Sequence, residues 1–84
     1  MAQKEYISVV ADYKTDGSIR PVSMIFADGS VFAISALISV IHMSATSHNG
    51  AETRYRVKIG SREHELFFED AGSKKLPRWF VLDN

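Results

Sequence analysis

The chain contains no cysteine. Neither a disulfide framework nor a thiolate zinc site can stabilise it, and 84 residues lie near the lower limit for folding without such help. No charge of one sign dominates, because ten Lys and Arg balance ten Asp and Glu. No global field therefore draws the molecule to nucleic acid or acidic lipid. The start, MAQKEYISVV, lacks the apolar core of a signal peptide. No apolar run approaches the roughly 18 residues that span a bilayer. The expectation is a cytoplasmic protein with no membrane contact, made of one small β domain over residues 1–84.

What is present is apolar and aromatic. Hydrophobic residues make up 45% of the chain, with five Phe, three Tyr and one Trp, enough for a packed core. Turn signals recur at Asp16-Gly17, Asp28-Gly29, Asn49-Gly50 and Gly60-Ser61. Between them lie Val-, Ile-, Tyr- and Phe-rich segments that read as short antiparallel strands near 5–14, 19–27, 30–34, 38–46, 53–60, 63–69 and 78–82. The fold expected is all-β: a small, strongly bent antiparallel sheet closing into an SH3-like barrel or roll, since closure removes exposed edges.

In "SMIFADGSVFAI" a two-residue Asp-Gly turn would pair Ile25 with Phe32, and Phe26 with Val31. That register puts Phe26 and Phe32 on opposite faces, with both faces apolar, so each needs a cover. Met24, Phe26 and Val31 become the candidate protein interface, toward a partner or a second copy in a homodimer. The other face would carry Ile25, Phe32 and Ile34. The segment "ISALISVIHM" is ambiguous: Ile34, Leu37, Ile38 and Ile41 fit a helical stripe, whereas its β-branched content opposes a helix. A short helical turn near 35–37 running into a strand is the favoured reading. A helix at about 35–43, which would make the class α+β, is the alternative.

"RYRVKIGSREHELFFED" sets Arg54, Arg56 and Lys58 on alternate positions before a glycine. With Gly60-Ser61 as a two-residue turn, Lys58 faces Glu63, Arg56 faces Glu65 and Arg54 faces Phe67. The opposite face pairs Val57 with His64, Tyr55 with Leu66 and Thr53 with Phe68. A cationic track that meets carboxylates is a charge-paired outer face, because phosphate binding needs free Lys and Arg. Arg54 over Phe67 would add a cation–π contact.

Chemistry-bearing constellations are weak. His42 and His48 have no metal-ligand spacing, and His64 reads as a partly buried histidine on the apolar side of its strand. No serine lies in a nucleophile elbow, and Glu63, Glu65 and Glu69 have cationic neighbours that oppose a raised pKa. The Asp-Gly pairs lack the spaced ligands of a calcium loop, and no glycine-rich phosphate loop occurs. The expectation is no enzyme activity, no cofactor and no metal. In "KKLPRWFVLDN" cations and aromatics do interleave, so Lys74, Lys75, Arg78 and Trp79 are the candidate nucleic-acid contact. A final strand behind a basic loop has the same composition.

"DGSIRPVSMIFADGSVFAI", "RYRVKIGSREHELFFE" and "RWFV" together resemble a group of short uncharacterised bacterial proteins of Firmicutes type. Their pattern joins a Pro-containing strand, a D-G hairpin ending in F-x-I, then R-Y-x-V-x-I-G-x-R and a terminal R-W-F-V. It covers the chain from Tyr6 to Val81 and departs at Ser35 and Ala36, where the group tends to carry charge. The resemblance implies a shared fold and carries over no site residue. The group's genes often neighbour mobile-element or translesion-polymerase genes, which keeps an accessory role in DNA metabolism as the alternative. The first expectation is a small non-enzymatic binding or adaptor module acting through protein contacts.

Overall fold

A computed structural model describes residues 3–43, 51–70 and 76–83. Seven strands form one antiparallel sheet: β1 (Gln3–Tyr13), β2 (Ile19–Ile25), β3 (Val31–Ala33), β4 (Ala36–Met43), β5 (Ala51–Ile59), β6 (Arg62–Asp70) and β7 (Arg78–Asp83). Their order is β3-β2-β1-β7-β6-β5-β4. No helix occurs among the described residues, so none there is long and apolar enough to cross a membrane. The segment after Ser35 is strand, and neither the helical turn near 35–37 nor the longer helix forms. β-Branched side chains pack well on a pleated surface, and here that preference outweighs the helical stripe.

The sheet curls strongly into a half-barrel, and two corners direct the curl. In β1, residues 3–7 pair with β7 and residues 8–13 pair with β2. At the second corner Ile34 donates to Val22 at 2.9 Å, while its neighbour Ser35 donates to Lys58 at 2.8 Å. One kinked segment thus carries the pairing from β2 across to β5. The Ser35 hydroxyl also donates to the Lys58 carbonyl, at 2.9 Å, and fixes the kink. The concave side holds the main core of Met24, Tyr55, Val57, Leu66 and Trp79, flanked by Ile7, Val9, Ile34, Leu37 and Phe68.

The β5–β6 hairpin has the expected register throughout, from Lys58↔Glu63 to Thr53↔Phe68. Gly60 has φ +62° and Ser61 does not have positive φ, which is the two-residue arrangement with glycine first. The β2–β3 hairpin differs by one residue: Met24 faces Phe32 and Ile25 faces Val31. Its loop is Ala27-Asp28-Gly29, because Phe26 donates to the Ser30 carbonyl and Gly29 donates back to Phe26. The Asp28 carboxylate accepts from the Ser30 N–H at 2.9 Å, and Gly29 takes φ +91°. A three-residue loop reverses the face assignment on one arm. Phe26 and Phe32 therefore share the concave face, edge to face at 5.6 Å, rather than lying on opposite faces.

Candidate protein-contact face

The convex side has two unlike halves. Across β5, β6, β7 and the first half of β1 it is charged and layered. Alternation along the strands brings Arg54, Phe67, Phe80 and Tyr6 into one cross-strand row. Phe67 and Phe80 stack with centroids 4.9 Å apart, and Tyr6 meets the Phe80 edge at 5.8 Å. Lys4 reaches over this row, with Nζ 4.6 Å from the Phe80 ring centre, and donates to Glu69 at 2.8 Å. Arg78 lies 4.0 Å over the Tyr6 ring and donates to Glu69 at 3.1 Å and to the Tyr6 hydroxyl at 3.3 Å. Under this cover Phe80 is only 1% exposed.

Glu69 is the centre of that cover, with its side chain 14% exposed. The Lys4 hydrogen bond holds its carboxyl below the usual glutamate range, against burial and with help from the Lys4 charge, Arg78 and Tyr6. The same hydrogen bond raises the Lys4 ammonium above its ordinary value, against a smaller desolvation effect. On the concave side burial pushes the Tyr55 phenol up.

The basic strip is charge-paired, with the expected Arg56–Glu65 pair and two diagonal ones. Arg56 takes Glu63 at 3.2 Å and Glu65 at 3.6 Å, and Arg54 turns its Nε to Glu65 at 3.6 Å instead of covering Phe67. A longer guanidinium reaches the carboxylate diagonal to it, so Arg56 rather than Lys58 engages Glu63.

The second half, on β2, β3 and residues 8–13 of β1, is different. Two of its rows are Ser8, Ile25 and Val31, then Val10, Ser23 and Ala33, and beyond them Asp12 faces Arg20. None of the six residues in those two rows is charged. Val31 is 62% exposed and Val10 51% exposed, and nearby Val22, the extra residue where the β1–β2 register slips, is also exposed. Of the predicted interface, only Val31 belongs to this surface. Met24 is 2% exposed in the core and Phe26 lies beside it on the concave side, so the three residues do not form one accessible face. Sequence reasoning missed Val10, Ser23 and Ala33. The D-G-S repeat at 16–18 and 28–30, where Asp captures the Ser N–H in both turns, was the available signal for three-residue loops.

The predicted nucleic-acid residues are likewise divided. Trp79 is buried, 5.4 Å from Tyr55 and 4.7 Å from Phe68 by ring centres, and offers no stacking platform. Arg78 points to the opposite face and is held by Glu69 and Tyr6. Lys74, Lys75, His48 and the Asn49-Gly50 turn lie outside the described residues. His64 is exposed, not partly buried, and the pairing of β6 with β7 covers only residues 67–69 of β6. It lines an open cleft of about 480 Å³ with Met24, Phe26 and Val81. His42 lines a different cleft, of about 630 Å³, and its Nδ1 lies 3.1 Å from the Thr53 hydroxyl. Among the described residues no three His, Asp or Glu side chains gather as metal ligands.

The chain matches no family model, no curated protein and no solved structure.

Proposed function

We infer that the protein is a small, non-enzymatic binding module of the cytoplasm that acts through protein contacts, using two uncharged rows on the convex face of β1, β2 and β3. One observation carries this reading: Val10 and Val31 stand more than half exposed in two adjacent rows that contain no charged residue. Contiguous uncovered apolar surface commonly marks a contact site. Serines at Ser8 and Ser23 keep that face wettable, which suits a partner that comes and goes.

Photo-crosslinking in the source cell tests it, with the reactive side chain placed at Val31 in one protein and at Glu65 in another. Capture of the same protein from Val31, lost when Val10→Glu is added, is the expected result. Equal capture from both positions would remove the assignment. The accessory nucleic-acid reading has its own readout in the fluorescence of Trp79 titrated with single-stranded DNA. Quenching that weakens with added salt would favour it over protein contacts.

A further inference from the structure

β4 is a terminal strand of the sheet. It pairs with β5 along one edge, and no strand pairs with its other edge among the described residues. An unpaired edge presents a ladder of N–H and C=O groups to solvent, and proteins usually shorten, charge or bend such edges. The opposite terminal strand, β3, follows that practice with three residues. β4 has eight, ALISVIHM, with no charged residue and no proline. Ile38, Val40 and Ile41 are all substantially exposed. The register slip between Leu37 and Ser39 bends only the start of the strand. From Ser39 to Met43 the pairing with β5 runs without interruption, so that stretch is straight enough to template another strand.

We propose that β4 pairs antiparallel, edge to edge, with β4 of a second copy of this chain. A bare backbone ladder is complemented by another extended backbone, and charge selects which one. A twofold contact sets each residue of 39–43 against a residue of the same stretch, so like charges never meet across it. The nearest cations, Arg54 and Arg56 on β5, are already held by Glu65 and Glu63 and add little repulsion. A highly charged strand would gain nothing from this edge, whereas Ile and Val from the second copy pack against their equivalents. One strand pair covers less than the roughly 1,200–2,000 Å² of a lasting complex, so the contact belongs with weak, reversible ones. This contact is separate from the convex face of β1–β3 and stands or falls independently of it.

Sedimentation equilibrium of the full chain over a roughly hundredfold concentration range should show a monomer–dimer equilibrium. Ile41→Lys should leave the far-ultraviolet circular dichroism unchanged and raise the dimer dissociation constant at least about tenfold. Val31→Lys, on the other exposed apolar surface, should leave that constant unaltered. A wild type that stays monomeric overturns the proposal. So does a dimer broken by Val31→Lys and untouched by Ile41→Lys. Should Ile41→Lys fail to fold, hydrogen exchange of the wild type decides: amides of 39–43 gaining protection with concentration support the contact, and concentration-independent protection refutes it.

Discussion

The two halves of the convex surface belong to one sheet and share one strand, yet they meet solvent in opposite ways. Residues 4 and 6 of β1 join the charged half, where Lys4, Glu69 and Arg78 close over Phe80 and Tyr6. Residues 8 and 10 of the same strand lie in the two uncharged rows, where Val10 and Val31 are more than half exposed. A small sheet can bury aromatics on both sides, provided long charged side chains serve as the second cover. The two rows that lack such side chains are where an external cover fits.

The sharpest way to break this comparison is Phe80→Ala. If the charged half is a true second layer, the change should cost about 3–5 kcal/mol, comparable with the about 2–5 kcal/mol expected for Leu66→Ala in the main core. Urea melts of both variants measure it. A loss below about 1 kcal/mol for Phe80→Ala would return that half to an ordinary wet face.

Each half depends on a glycine turn, which supplies a second comparison. Gly29 leads into β3 and Gly60 into β6, both at positive φ, and an added Cβ would meet nothing within 4 Å at either. Any cost of alanine there is backbone strain alone, so Gly29→Ala and Gly60→Ala should each lose about 1–2 kcal/mol. Unequal melts would show that one turn also serves packing.

Acidity separates the halves further. Glu69 titrates below its ordinary 4.5 in the folded protein. Its contribution is therefore complete above pH 4.5 and disappears as pH falls through the lower folded value. Lys4 titrates above its ordinary 10.5, so its contribution is complete below that and is lost as pH rises through the folded value. Wild type should lose stability on acidification more steeply than Glu69→Gln. Asp16 and Asp28, lowered by hydrogen bonds from Ser18 and Ser30, titrate in both proteins and cancel. Parallel pH profiles would deny Glu69 its central place.

The smallest effects belong to exposed single sites. Glu65→Ala should cost less than about 1 kcal/mol, since its ion pairs with Arg54 and Arg56 are largely in solvent. Val31→Lys should change stability by no more than about 0.5 kcal/mol in either direction. A larger loss from Val31→Lys would mean that the uncharged rows are packed, and the contact assignment would fail.

Strands were legible in the sequence because β-branched and aromatic runs alternate with strong turn residues. The β5–β6 register was legible because Gly60-Ser61 admits a two-residue loop, and every cross-strand pair follows from that count. The β2–β3 register was not, because Asp-Gly serves loops of two or three residues equally well. The choice falls to Asp28 capturing the Ser30 N–H. That single extra residue moved Phe32 to the concave side and took Met24 and Phe26 out of the candidate contact set. The outer aromatic layer was hidden for another reason. Lys4 and Glu69 are 65 positions apart, and only the β1–β7–β6 order brings them over Phe80.

That order also has a kinetic consequence. β7 is seventh along the chain and fourth across the sheet, between β1 and β6. Without it, β1–β2–β3 and β4–β5–β6 are two meanders joined along the backbone at Ile34–Ser35. Each can assemble from short loops, but uniting them requires Tyr6 to find Phe80 and Phe67 to find the other side of the same ring. Closing so long a loop raises the entropic barrier and slows folding relative to the local hairpins. Until it happens, the inner edges of β1 and β6 stay open to wrong partners. The placement of one six-residue strand therefore ties closure of both inner edges to the last segment of the chain.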